Sequence, residues 1–265
     1  MKSLNNKVVW ITGASSGIGE ATALQFAKEG VRLVLSARRE EELQRVKDLT
    51  HLKDEFVMVL PMDMEKIDQF EQKVEQVVKK FGRIDILFNN AGISQRGDVL
   101  NSKMDVYYKL MNLNFFGVVA LTKAVLPQMI NQKSGHIAVT SSVAGIVATP
   151  LRSGYAASKF ALHGFFDALR AEVYKHKIKV TIVCPGYINT DISVNALNTE
   201  GTKHGKRDKN QEKGISPQEC GQRIVDAIKQ EKSQVIIAGK EGLGVLLKRF
   251  FPKILERIII KQAPK

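Results

Sequence analysis

Cysteine is almost missing from this chain. Only Cys184 and Cys220 occur among 265 residues, and their separation matches no metal-ligand spacing. A disulfide scaffold and a thiolate metal site are therefore set aside, and both residues read as free thiols in a reducing compartment. Long apolar runs are missing too. None reaches the eighteen or so residues of a membrane-spanning helix. The opening Met1-Lys2-Ser3-Leu4-Asn5-Asn6-Lys7 has no apolar segment of the signal-peptide kind, so a cytoplasmic protein is expected. No linker divides the chain and no repeat of solenoid period appears, so residues 1–265 read as one domain. His136, His163 and His176 show no mutual spacing for a metal, and none is expected.

Acidic residues are scarce beside basic ones. With 27 Asp and Glu against 40 Lys and Arg, the formal net charge is +13. Such an excess suits a phosphorylated cofactor, an acidic carrier protein or an anionic membrane surface, and it also suits a merely solvated basic exterior. Nucleic acid is not expected as a partner, because the chain has no recognition motif and no basic stripe interleaved with aromatics.

What is present is an alternation. Short β-branched runs beginning near Val8, Arg32, Phe56, Ile84, Gly135, Lys179 and Gln234 are separated by amphipathic stretches of helical period. Ser216-Pro217-Gln218-Glu219 is a helix start, with a Ser cap, Pro in the first turn and Glu three residues on. This order predicts an α/β protein: a doubly wound Rossmann-type fold of about seven parallel strands with helices on both faces and right-handed crossovers.

Thr12-Gly13-Ala14-Ser15-Ser16-Gly17-Ile18-Gly19 follows the first strand and opens the first helix. Gly13 permits a tight turn, Gly17 a close approach of backbone to ligand, and Gly19 close packing of helix on strand. The helix amino terminus then offers free N–H groups and a positive dipole to a pyrophosphate. The second strand ends in Ser36-Ala37-Arg38-Arg39, with no acid before Glu40. An acid there would accept from the ribose 2′-hydroxyl of NAD(H), whereas a base pairs with the 2′-phosphate of NADP(H). NADP(H) is therefore expected, with Arg38 as the main contact and Arg39 assisting.

Further along, Ser153-Gly154-Tyr155-Ala156-Ala157-Ser158-Lys159 places Tyr155 and Lys159 four residues apart, on one face of a helix. An ammonium held there would lower the phenol pKa and make Tyr155 an acid or base near neutrality. Ser142 lies thirteen positions before Tyr155.

Taken together these motifs resemble the short-chain dehydrogenase/reductase family over about residues 7–238. The further matching positions are Asp63 after the third strand, Asn89-Asn90-Ala91-Gly92, Asn114 in Asn114-Phe115-Phe116-Gly117, and Pro185-Gly186 with Thr190. The segment Phe165-Phe166-Asp167-Ala168-Leu169-Arg170-Ala171-Glu172, with Pro185-Gly186-Tyr187-Ile188-Asn189-Thr190, is similar to the branch of family member 7. Members of that branch often carry an amino-terminal anchor, which this chain is expected to lack.

The resemblance implies strand order 3-2-1-4-5-6-7, and it implies roles. Tyr155 would be the general acid in carbonyl reduction and the base in alcohol oxidation, with Ser142 holding the substrate oxygen. Lys159 would hold the nicotinamide ribose, and Asn114 would anchor a water that links Lys159 to solvent. Gly13, Ser15, Ser16, Gly17, Ile18 and Gly19 would cradle the pyrophosphate, and Asp63 with Met64 the adenine. Asn90, Ala91 and Gly92 would line the cofactor, while Pro185, Gly186, Ile188 and Thr190 would hold its carboxamide end. A homodimer or homotetramer built on the Asn114 and Tyr155 helices is implied as well.

Two regions carry little pattern. Residues 195–214 are polar and lack periodicity, and are expected to form a mobile substrate loop. Residues 240–265 form a basic amphipathic extension that Pro252 should split into two short helices. The extension is expected to pack on a pocket or a subunit, with peripheral contact to an anionic membrane as the alternative. The substrate expected is a small carbonyl or alcohol of hydrophobic or lipid-like character. A 3-oxoacyl carrier-protein reductase and a non-catalytic nucleotide-binding scaffold are the competing readings.

Overall fold

A computed structural model describes residues 3–263. Seven strands form one parallel sheet: β1 Val8–Thr12, β2 Arg32–Ser36, β3 Val57–Val59, β4 Ile86–Asn89, β5 Gly135–Thr140, β6 Ile178–Pro185 and β7 Gln234–Ile237. Their order across the sheet is β3-β2-β1-β4-β5-β6-β7, as expected.

Alternation along each strand builds two cores. Val8 and Trp10 of β1 face one apolar layer, and Val9 and Ile11 face the other. The first layer is covered by α3 (Phe70–Phe81), α5 (Gly117–Asn131) and α6 (Ser153–Glu172). The second is covered by α1 (Gly17–Ala27), α2 (Glu40–Thr50) and α8 (Pro217–Lys229). The buried indole of Trp10 donates to Ser36 Oγ at 2.9 Å, so its polar atom is not left unpaired. Ser216 caps α8 as predicted, its side chain accepting from Glu219 N.

Strand order reverses beside β1, where β2 leaves to one side and β4 to the other. Loops diverge there and open a crevice at the carboxyl ends of the strands. Thr12, Ala37, Asn90, Thr140 and Pro185 all stand on its rim.

Between β4 and β5 lie α4 (Met104–Met111) and α5, joined by a single wide π turn at Asn112–Phe116. The joined run Met104–Asn131 has the length and apolar content of a membrane span. Here Val106, Leu110, Leu113, Val118, Leu121, Val125 and Met129 are instead buried inside the fold.

The two patternless regions are folded. In residues 195–214, Leu197 bridges to Gln95 and Lys203, and the backbone N–H of His204 donates to Ala196 O at 2.7 Å. A one-turn helix, α7 (Lys209–Glu212), follows, capped by Asp208. Pro252 splits the extension as predicted, into α9 (Leu243–Phe250) and α10 (Pro252–Ile260). Lys248 donates to Ile146 O, and its ammonium lies 4.5 Å from the Phe160 ring centre. Glu241 accepts from Tyr187 N at 2.8 Å. The extension therefore docks next to the segment after Ser142 and on α6. Leu255 is buried, while Leu243, Leu246, Phe250, Phe251, Ile254 and Ile258 stay exposed.

Candidate active site

The crevice has a volume of about 890 Å³. Its walls are the turn after β1, the ends of β2, β4, β5 and β6, and the face of α6. Every predicted cofactor-binding residue except Gly19 lines it, as do Ser142, Tyr155 and Lys159. Gly19 and Asn114 lie behind the wall, each buried.

The turn after β1 fits a dinucleotide for steric reasons. Gly13 has φ +64° and lies so close to the next loop that a Cβ would sit 2.8 Å from Ala91 Cα. Gly17 has φ +58°, and a Cβ there would lie 3.2 Å from Thr190 Cγ2. Gly19 allows no side chain, because a Cβ would be 2.1 Å from Gly13 O. The loop is stitched to its neighbour by Thr12, whose Oγ1 accepts from Asn90 N at 3.0 Å and Ala91 N at 3.1 Å. Asn90 returns two bonds to the carbonyls of Thr12 and Gly13. The amino-terminal end of α1 therefore points its free N–H groups into the crevice from a rigid cradle. Arg38 and Arg39 are exposed at its far rim, and Arg39 reaches Ser15 Oγ at 3.4 Å.

At the other end α6 presents its two functional side chains one turn apart. Tyr155 is 8% exposed and Lys159 3%. Gln95 Oε1 accepts from Gly154 N at 2.8 Å and Tyr155 N at 3.2 Å, which fixes the first turn of α6. Ser142 accepts from Ala144 N at 3.0 Å, donates to Pro185 O at 3.3 Å, and meets the Tyr155 hydroxyl. The neighbouring Ser141 turns the other way and donates to Lys159 O at 3.1 Å.

The electrostatics differ from the expectation that Lys159 lowers the phenol pKa. Burial dominates and holds Tyr155 above the ordinary phenol value, against the Ser142 hydroxyl beside it and the charges of Arg152 and Arg96. Lys159 points its ammonium at Thr140 O, 2.8 Å away, and lies 5.8 Å from the Tyr155 ring centre. Its own burial brings it down to about 8. At neutral pH the pair is a neutral phenol beside an ammonium that a small rise in pH would discharge.

Asn114 sits within the π turn, a feature common at functional sites. Its Oδ1 accepts from Ile93 N at 2.9 Å, and its amide donates to Ile93 O and Ser158 Oγ, each at 3.0 Å. The side chain thus ties the loop after β4, at Ile93, to α6. Gly92 fits between Asn114 and Lys159, where a Cβ would lie 3.2 Å from one and 3.3 Å from the other.

Sequence reasoning quoted Thr12 in the glycine motif without a role and passed over Thr140, and these two carry the loop and the ammonium. Thr12 had a signal, as the hydroxyl residue directly before the first glycine. Thr140 acts through its carbonyl, which no side-chain pattern announces. Arg96, Arg152, Tyr187 and Asp208, at the outer end of the crevice, were also passed over.

A parallel sheet with a glycine turn at its switch point, facing a buried Ser, Tyr and Lys, defines a nucleotide-binding oxidoreductase. The short chain dehydrogenase family profile matches residues 7–201. The chain is 46% identical to the dehydrogenase/reductase SDR family protein 7-like of Anopheles gambiae, covering 100% of this chain and 85% of that one. It is 43% identical to dehydrogenase/reductase SDR family member 7 of Homo sapiens, covering 91% and 73% of the two chains. A short-chain dehydrogenase/reductase of Burkholderia phymatum in complex with NAD shares the fold, with TM-score 0.84, 23% identity and coverage of 96% of each chain. This chain belongs to the short-chain dehydrogenase/reductase family, in the branch of family member 7.

Proposed function

We propose that the chain is an NADP(H)-dependent reductase of a hydrophobic ketone, with oxidation of the matching secondary alcohol as the reverse reaction. The observation that carries this reading is the neutral, buried Tyr155 hydroxyl against Ser142 at the floor of a crevice whose other end is rimmed by Arg38 and Arg39. The bound cofactor would supply the hydride.

This chain's residues would do the rest. Gly13 to Gly19 and the start of α1 bind the pyrophosphate, and Arg38 pairs with the 2′-phosphate. Ser142 orients the substrate carbonyl and stabilises charge growing on its oxygen. Tyr155, kept protonated by burial, gives that oxygen its proton. Lys159 holds the nicotinamide ribose and offsets the phenolate that forms. Ile93 and Leu197, which pack in one apolar cluster with Tyr155, give the substrate end apolar walls. The exposed apolar side chains of α9 and α10, interleaved with Lys248, Arg249, Lys253 and Arg257, suit peripheral contact with an anionic lipid surface in the cytoplasm. The exposed Met104, Tyr108 and Phe116 of α4 and the π turn suit a homo-oligomer.

The test is a fluorescence titration with NADPH and NADH. NADPH should bind at least about tenfold more tightly, as expected for a charge-assisted contact to the extra phosphate, and Arg38→Glu should erase the difference. Equal affinities for the two in the unmodified protein would overturn the cofactor assignment.

A further inference from the structure

At the outer end of the crevice two arginines share one carboxylate oxygen. Arg96 Nη2 and Arg152 Nη2 donate to Asp208 Oδ2 at 2.7 and 3.0 Å. The other oxygen of Asp208 accepts from Asn210 N at 2.9 Å. Burial alone would raise the Asp208 carboxyl, but the Asn210 N–H and the two arginines hold it below the usual range, so it stays ionised. The guanidinium side chains are only 11% and 18% exposed. Two positive charges and one negative charge leave one unit of positive charge in a poorly solvated corner, an arrangement that burial penalises unless an anion completes it.

The surplus charge faces the site. Arg96 and Arg152 line the crevice with Ser142 and Tyr155, while Asp208 does not. Arg152 precedes α6 and stands three residues before Tyr155, with its guanidinium 5.7 Å from the Tyr187 ring centre. Arg96 follows Gln95, the residue that fixes the start of α6. Each arginine carries five N–H donors. Those the structure shows engaged go to Asp208 and, from Arg96 Nη1, to Gln95 O. Gln211 supplies an independent sign of a missing polar partner. It is 8% exposed, lines the same crevice, and its Oε1 has no hydrogen-bond partner among the described residues. The two ends of an amide are interchangeable by a flip, so this group can also offer an N–H.

We propose that Arg96 and Arg152 form an anion subsite, so that the ketone reduced at Tyr155 carries a carboxylate or phosphate-type group held across the two guanidinium forks. Guanidinium forks match both groups in bidentate geometry. This rests on the reductase reading above and narrows it: the substrate has an apolar body and one anionic end. The basic balance of the chain then has a local purpose at the site as well as at the cofactor.

The test uses two matched pairs, levulinate with methyl levulinate and acetonylphosphonate with its dimethyl ester. Turnover with NADPH should favour the charged member by at least about tenfold in kcat/KM in one pair, and that pair identifies the anion. Arg96→Met and Arg152→Met should bring the ratio toward one, and Arg96→Lys, which keeps the charge without the fork, should give an intermediate ratio. Calorimetric titration of the same compounds onto Tyr155→Phe loaded with NADPH reads the subsite without turnover. Charged and neutral members binding equally in both pairs, or a preference that survives Arg96→Met, would overturn the subsite. Failure of all four ketones to turn over while the charged member still binds would sink the reductase reading alone.

Discussion

Tyr155 and Lys159 show how a buried pair divides its work. The phenol is held protonated by the burial that also brings the ammonium to about 8. Replacing Tyr155 with Phe removes the phenolic proton assigned to the substrate oxygen. Turnover should fall by about 10²–10⁴-fold, the usual value of a positioned acid, with NADPH binding retained; a Phe variant as active as its parent would reassign the acid. Lys159 also leaves a mark on stability. Its folded value lies below the 10.5 of a free lysine, so the unfolded chain binds more protons between pH 8 and 10.5. Stability of the cofactor-free protein should therefore climb as pH rises from 8 toward 9. Above 9 the buried thiols of Cys184 and Cys220, pushed up to about 12, act in the opposite sense. Urea unfolding at pH 7.5, 8.5 and 9 checks this, since Lys159→Met should lose the rise.

At the scale of elements, the first βα unit depends on Gly19 more than on the glycines with left-handed backbone. A methyl at Gly19 would meet Gly13 O at 2.1 Å and Asn90 Nδ2 at 2.6 Å, and the first of these is backbone that cannot swing away. Gly19→Ala should push the turn after β1 off α1. It should weaken NADPH binding at least tenfold and destabilise the protein by about 1–3 kcal/mol, the cost of overpacking a tight site. Gly82→Ala, at φ +75° with open space around its Cβ position, is the control: it should lose stability through backbone strain and leave NADPH affinity unchanged. Calorimetric titration with a melting curve separates the two effects. The carboxy-terminal helices pose a different question. Deleting the residues after Gly242 removes the Lys248 contact with Ile146 and the buried Leu255 beside the catalytic segment. Co-sedimentation with anionic vesicles should fall on that deletion; sedimentation that does not change would discard the lipid contact.

The whole molecule carries an acid-sensitive point far from the crevice. His136 lies at 0% exposure in the middle of the sheet, with Nε2 2.7 Å from Thr181 Oγ1. Thr181 donates its own proton to Lys232 O, so the ring must carry hydrogen on Nε2. Nδ1 is then the site a proton would take, and it has no partner among the described residues. Burial brings His136 down to about 4 from 6.5. The unfolded chain therefore binds the extra proton first, and stability should fall as pH drops from 6.5 to 4, by about 3 kcal/mol from this residue. Denaturant unfolding of the protein and of His136→Gln across that range tests the assignment, because the Gln variant should show a flatter slope.

Much of this protein was legible along the chain. Period-two and period-3.6 patterns report which side of an element meets the core, so the strands, their helices and the parallel class follow from local physics. The glycine turn and the Tyr155–Lys159 spacing were legible for the same reason, since each is complete within one turn of backbone. Pro252 splits the tail as its missing N–H requires. Residues 195–214 gave no pattern because their order comes from partners distant in sequence, Gln95, Arg96 and Arg152. The direction of the Tyr155 shift was likewise invisible, because desolvation depends on everything packed around a group, whereas the i,i+4 neighbour is only one part of that. The sharing of Asp208 between Arg96 and Arg152, 112 and 56 residues away, is a product of the fold alone. Sequence by itself determined the elements and the motifs each contains; only tertiary structure decided which charges meet, because burial and pairing belong to the packed chain.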